Sequence, residues 1–523
     1  MKNSLGVLLG VLLIQILVVS CSESGKSTVL QIDTPIEEFF QLDQTTVGVS
    51  TISTGMDVPW EITWGPDNWI WYSQIKGEIG KINPGTGEKV IIHKLDSVYT
   101  RTTPGLLGIA LHPDLENFPY LFALHNQKVS DEKIVLNISR FRIDGDRLTD
   151  QMVLLQIPGA RGHNGSRIKV GADGLVYISS GEAARAEESQ NVNDPGGKVL
   201  RMNIDGSIPD DNPFMDNPVW AWGFRNPQGL VLTEDGRIYT SDHGDATDDE
   251  VNFVQKGGNY GWPDVRGICD TEEEKVYCSD SVIIESMIHW TPTIAPAGID
   301  YYNSKSIPEW NNSLLLTTLK GSSLRVLKLS EDGRSIVSED IFFDHKYGRI
   351  RDLCISPEGD VYISTSNRDW YRTNTPEKDD DRIIRLFNIS DKEIPDSVLE
   401  YKYRRNQDAE VVTVTAESLY SDFCSSCHKK DGKGVEGTFP PLSGTKTVLG
   451  ESSNLINTVL KGVSGEIVVN GVTYNEHMPS FSFLKDDEIA KILTYVRSSF
   501  GNEASEVTEE EINAVRTSNE GGI

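Results

Sequence analysis

Basic residues are scarce in this 523-residue chain: 49 lysines and arginines stand against 78 aspartates and glutamates, a formal net charge of −29. Such a surface repels phosphate backbones, which argues against nucleic acid as a partner. Long apolar runs are scarcer still, for beyond the first twenty residues none is long enough to span a bilayer. The hydrophobic share of 38% fits a soluble globular protein, and the length implies two or three domains. Cysteine is rare too, six in all, and yet two stand three positions apart against a histidine, in CSSCH at 424–428. No cysteine follows them, so a zinc site lacks its second ligand pair. No βαβ unit surrounds them, which argues against a thioredoxin-type redox site.

What is present begins with an address. Residues 1–20, MKNSLGVLLGVLLIQILVVS, place one lysine before an apolar run and end on a small residue, the layout of a secretory signal peptide. Val18-Val19-Ser20-Cys21 resembles a bacterial lipobox, which implies acylation of Cys21 as the mature N-terminus and residues 21–46 as a tether. A simple signal peptide cut nearby, or an uncleaved anchor, is the alternative. An exported chain meets oxidising conditions. Cys269 and Cys278 bracket a short acidic loop and could close it, whereas Cys354, in the apolar IRDLCIS, reads as a buried free thiol.

One phrase recurs between residues 47 and 388: an apolar run, a Pro/Asp/Gly turn, then a second run rich in Ile, Val and Tyr. It appears as EITWGPDNWIWYSQ, RIKVGADGLVYISSG, GLVLTEDGRIYTSDHG and IRDLCISPEGDVYISTS, with looser copies elsewhere. The turns fall near 67, 114, 173, 235, 309 and 358. Each unit reads as a β-hairpin, and six of them predict an all-β six-bladed propeller, with two stacked sheets as the alternative. Residues 389–412 are charged and aperiodic, as a linker would be. From 413 to 500 apolar residues recur at helical spacing, predicting a small all-α domain, and 501–523 form an acidic tail, read as a final helical turn with a frayed end.

CxxCH supplies two thiols for thioether bonds to haem and a histidine for its iron, so Cys424 and Cys427 are the attachment site and His428 the proximal ligand. Met478, in EHMPSF, is the expected second axial ligand and His477 its competitor. With the KDGKG turn and the PPLSG segment, residues 413–500 resemble a class I cytochrome c.

The run GFRNPQGLVLTEDGRIYTSDHGDATDDEVNFVQKGGNYGWP, residues 223–263, resembles the glucose/sorbosone dehydrogenase family, soluble quinoproteins with a six-bladed propeller that binds pyrroloquinoline quinone (PQQ) and calcium. WGPDNWIW, PGLLGIALHPDL, HNGSRI, WTPTIAP, LKG and RIRD match in order, over roughly residues 47–388. The resemblance implies that Lys320, Arg349 and Arg351 grip the carboxylates of PQQ, a task suited to fixed cations. It makes His163 the general base, which takes a proton from a substrate hydroxyl while hydride passes to the quinone. Arg225 and Asn226 would steady negative charge on the quinone oxygen, with Thr293 a further cofactor contact. The backbone carbonyls of Gly244 and Asp245 would hold calcium, and Asp248, Asp249, Glu250 and Tyr260 resemble a second calcium site, a solvated acidic turn being the alternative.

Four positions depart from the family pattern. Thr103 replaces a Gln before the GLLG segment, Gly162 replaces an Asp beside the base, and His243 and Asp245 replace a Gln and a Pro near the calcium. The missing Asp would orient the histidine, which puts glucose itself in question as substrate. The expectation is a lipid-anchored quinohaemoprotein on the periplasmic side or outer membrane. It would oxidise an aldose, another sugar or a related alcohol or aldehyde and pass electrons through its haem to a downstream acceptor. A propeller that only binds a ligand or partner, with the cytochrome as a separate relay, is the alternative.

Overall fold

Turn chemistry sets the hairpins of the repeat. Residues 68, 174, 236 and 359, at equivalent points in four of the repeats, all have positive φ, and three are glycine with Asn68 the fourth. In the computed structural model, which describes residues 34–101, 103–369, 379–405 and 415–520, these hairpins are the inner halves of propeller blades. Cys21 and the expected signal peptide lie outside the described residues.

Five blades are sheets in simple chain order, spanning 59–94, 106–159, 165–222, 227–290 and 296–342. The sixth takes Ile350–Ile355, Val361–Thr365 and Ile383–Asn388 from the end of the propeller and closes with Thr46–Ser53 from its beginning, in the register Val47↔Asn388. Each innermost strand touches the next, and the last touches the first, so the ring is shut without an open sheet edge at the seam. The repeat reads as alternating, yet Val176–Ser180, Ile238–Asp242 and Val361–Thr365 are buried at every position. The reason is that neighbouring blades cover both faces of each sheet.

The expected linker is in part propeller. Leu399–Glu400 pairs in parallel with Glu38–Gln41, and Arg404–Arg405 pairs with the outer strand of the fifth blade. Tyr403 stacks on Phe342 at 4.5 Å between centroids, and Tyr401 on Phe343 at 5.2 Å. Residues 406–414 lie outside the described residues. Even fully extended they reach no more than roughly 30 Å.

The second domain is helical. Ala416–Phe423 packs against Asp486–Ser498, with Ser452–Lys461 beside them and a small hairpin, Ile467–Val469 with Val472–Tyr474, as its sole strand pair among the described residues. The acidic tail is more ordered than its composition suggests. Glu509–Glu520 is a helix whose Ile512 is fully buried and whose Arg516 Nε donates to Asp486 at 3.0 Å. Cys269 and Cys278 form a disulfide, and Cys354 is a buried free thiol.

Candidate functional site

All inner strands run in one sense around the channel, so the segments entering them share one mouth. Each second strand returns antiparallel, and the segment leaving it reaches the same mouth. His163 lies just before Gly165–Val170, Arg225 and Asn226 just before Pro227–Leu232, Thr293 before Pro296–Tyr302 and Arg349 before Ile350–Ile355. Leaving the second strands are Glu182, Gly244 with Asp245, Lys320 and Asp369. Two of these, Glu182 and Asp369, were not foreseen from the sequence. Their signal was positional: Glu182 follows its second strand by two residues, as Lys320 follows Ser313–Thr318.

Glu182 supplies what Gly162 lacks. It is 2% exposed, and its Oε1 lies 2.7 Å from His163 Nδ1. On the other side of the ring Arg225 Nη2 stands 3.2 Å from His163 Nε2. An arginine can only donate. The ring therefore carries its proton on Nδ1, towards Glu182, and its Nε2 lone pair accepts from Arg225; this is the tautomer a general base requires, and a substrate hydroxyl has to displace Arg225 to use it. His163 has φ 51°, a left-handed conformation uncommon for a residue with a side chain. Its carbonyl accepts from Ala183 N at 2.9 Å, and Gly181 must be glycine because a Cβ there would stand 2.1 Å from that carbonyl oxygen. Thr103, the other departure nearby, holds the same loop by donating Oγ1 to the Arg161 carbonyl at 2.5 Å.

The cationic end of the mouth is partly neutralised from within. Arg349 Nε donates to Asp369 at 2.8 Å, Arg351 also bonds that carboxylate, and Asp369 is 2% exposed. Arg351 additionally donates to Gln228 at 2.8 Å and lies over Trp60 at 5.6 Å. Lys320 Nζ donates to Thr293 Oγ1 at 2.9 Å, and burial lowers its pKa. Asp369 lies against two of these cations and the charge of Asp249 acts on Lys320, yet three basic side chains still gather at one mouth in a chain of opposite net charge. That donor set fits an anionic ligand.

The calcium expectations fare differently. Asp249 and Glu250 are adjacent on Asp249–Phe253 and face opposite sides of the sheet. Asp249 accepts from the backbone N–H groups of Gly244, Ile294 and Ala295, while Glu250 accepts from Asn252. Asp248 is bonded to Thr291, and the Tyr260 hydroxyl donates to the Phe253 carbonyl. Asp248, Asp249, Glu250 and Tyr260, the expected second calcium site, are each engaged with other partners here, and among the described residues no three acidic, His or Cys side chains gather as a metal cluster. Gly244 O accepts from Arg225 Nη1 at 2.8 Å, and the Asp245 carboxylate pairs with Arg266 at 3.3 Å. His243 is half-buried, its pKa pushed down to about 3 by desolvation and by Arg225, with Nε2 2.8 Å from the Pro296 carbonyl.

In the helical domain, His428 Nδ1 lies 2.9 Å from the Pro440 carbonyl, which leaves Nε2 as the nitrogen able to ligate a metal. Met478 is fixed through its backbone, which exchanges two 2.9 Å bonds with Val463. Cys424, Cys427, His428 and Met478 line one apolar crevice with Leu455 and Val459, a lining that fits a haem. The crevice is continuous with the propeller mouth. A single cavity of about 940 Å³ is bounded by His163, Arg225 and Lys320 on one side and by Cys424, His428 and Met478 on the other.

Comparison with known proteins agrees with both halves. The glucose/sorbosone dehydrogenase model matches residues 56–371, and the cytochrome c model matches 414–500. Quinoprotein glucose dehydrogenase B of Acinetobacter calcoaceticus is 27% identical over 441 residues, covering 68% of this chain and 90% of that protein. The PQQ-bound aldose sugar dehydrogenase of Streptomyces coelicolor superposes with a TM-score of 0.57 at 28% identity, covering 68% of this chain and 100% of that one. Cytochrome c-552 of Thermus thermophilus is 40% identical over 83 residues, which are 15% of this chain and 63% of that protein.

Proposed function

Since the chain belongs to the glucose/sorbosone dehydrogenase family and carries a cytochrome c domain behind it, we propose that this oxidoreductase is a quinohaem dehydrogenase. Its substrate is an aldose, another sugar or a related alcohol or aldehyde, and its electrons leave through its own haem c to a downstream acceptor. The observation that carries this reading is the oriented base: His163 between Glu182 and Arg225, at the cationic mouth of a cavity that continues into the haem crevice. A propeller that merely binds a ligand has no need of that tautomer.

PQQ, when bound, supplies a two-electron hydride acceptor, and haem c a one-electron carrier. Lys320, Arg349 and Arg351 hold the anionic cofactor, and Thr293 adds a contact. Once Arg225 Nη2 has moved off it, His163 Nε2 takes the proton of the substrate hydroxyl, and Glu182 stabilises the imidazolium so formed. Arg225 and Asn226 present donors to negative charge that develops in the cavity. Calcium at the Gly244 and Asp245 carbonyls belongs to the same proposal, and it requires Arg225 to give up the Gly244 carbonyl.

Reconstitution with PQQ, with and without Ca²⁺, followed by dye reduction over a panel of aldoses, ketoses and polyols, tests the reading. Reduction of dye and haem by at least one sugar is expected. A loaded protein inert to the whole panel would leave the ligand-binding alternative. The proposal also makes the chain an exported, membrane-anchored lipoprotein. Cys21→Ser should move it to the soluble fraction, and a wild-type protein already soluble in its native host would overturn the anchor.

A further inference from the structure

His477 was the rival of Met478 for the haem iron, and the backbone pairing that fixes Met478 leaves it another part to play. Consecutive residues of an extended segment face opposite ways. Met478 packs against the helical core, while His477 is exposed, with Nδ1 held by Ser464 Oγ at 3.0 Å. Across from it at the propeller mouth stand Asp245, Arg225 and His163. It lines the shared cavity with those same residues.

The two domains also meet through apolar contact. Ala246, next to Asp245 at the propeller mouth, is 7% exposed and belongs to the apolar cluster of the cytochrome, among Leu455, Leu460 and Phe481. No other propeller residue is in that cluster among the described residues. Size completes the argument. Pockets for a single small ligand run to roughly 300–1,000 Å³, and this cavity of about 940 Å³ serves the haem crevice and the propeller mouth together.

Resting on the dehydrogenase reading above, we propose that the cytochrome domain is the outer wall of the substrate chamber, that His477 contacts the substrate, and that the chamber thereby admits sugars of monosaccharide size. A sugar hydroxyl lying between His163 and His477 would find a proton acceptor on one side and a hydrogen-bonding ring on the other. A disaccharide would have to displace the wall.

The test uses the full chain. Ala246→Glu places a carboxylate in the apolar seam, where it has no partner. Small-angle scattering should show a larger radius of gyration than wild type, with or without PQQ. Dye reduction by maltose relative to glucose, and by lactose relative to galactose, should rise at least fivefold. His477→Ala should raise KM for the best aldose at least fivefold while kcat and the haem reduction potential stay put. Identical scattering and identical sugar ratios for Ala246→Glu would overturn the wall. An unchanged KM in His477→Ala, or a shifted haem potential instead, would overturn the substrate contact. Scattering that changes while no sugar is oxidised would sink the dehydrogenase reading and the substrate role with it, and would leave the docked wall supported.

Discussion

The haem crevice and the propeller mouth solve the same problem, holding a redox group in place, by opposite uses of the chain. The crevice draws Cys424, Cys427 and His428 from one helical turn and only Met478 from a distance. The mouth takes His163, Arg225, Lys320 and Arg349 from four different blades. A site built from one turn stands or falls with local structure. A site assembled from blade ends depends on closure of the whole ring and on carboxylates, Glu182 and Asp369, that hold the functional side chains rather than the ligand.

That contrast can be broken one side at a time. The largest effect is expected from Cys424→Ala with Cys427→Ala, which should abolish covalent haem altogether, read as loss of the c-type absorbance after denaturation, while the PQQ-loaded propeller still reduces dye. Loss of dye reduction as well would mean that the mouth is not independent of the crevice. On the other side, His163→Gln should lower turnover by roughly 10²–10⁴, the usual share of a general base, with the haem spectrum untouched. Turnover within twofold of wild type would assign the proton to another group.

A smaller effect sharpens the comparison. Glu182→Gln keeps an acceptor for His163 Nδ1 but removes the charge, and a loss of roughly 10–100-fold is expected by analogy with other carboxylates that orient a histidine. Turnover within twofold of wild type would reduce Glu182 to a packing role. The smallest effect concerns the scaffold. His125 is 2% exposed in the second blade, and burial pushes its pKa down to about 4 from 6.5. The unfolded chain thus binds the proton more readily, so this stabilisation is whole above pH 6.5 and is lost as pH falls towards 4. Thermal melts should show that slope, and His125→Gln should flatten it. An identical slope in the variant would place the titration elsewhere.

Most of the architecture was legible because turn chemistry and apolar runs are local. The hairpin turns at residues 174, 236 and 359 announced their blades, and CSSCH announced its haem. What escaped was relational. The loss of the Asp at 162 looked like the loss of an orienting carboxylate, when Glu182 provides one from the far end of the next hairpin. The cations at 320, 349 and 351 looked unopposed, when Asp369 sits between two of them. The acidic run at 248–250 stands side by side in sequence, whereas the strand sends Asp249 and Glu250 to opposite faces.

By itself, the order of residues determined the six hairpins, the helical domain behind them, the haem attachment and the residue types at the mouth. Each of these depends on groups within a few positions of one another, where backbone geometry leaves little choice. Only the tertiary structure decided which carboxylate orients His163, that residues 399–405 belong to the propeller edge, and that Ala246 meets the cytochrome so that crevice and mouth share one cavity. Those outcomes depend on closure of a ring whose first and last strands are more than three hundred residues apart. No local pattern records which side chains such closure brings together.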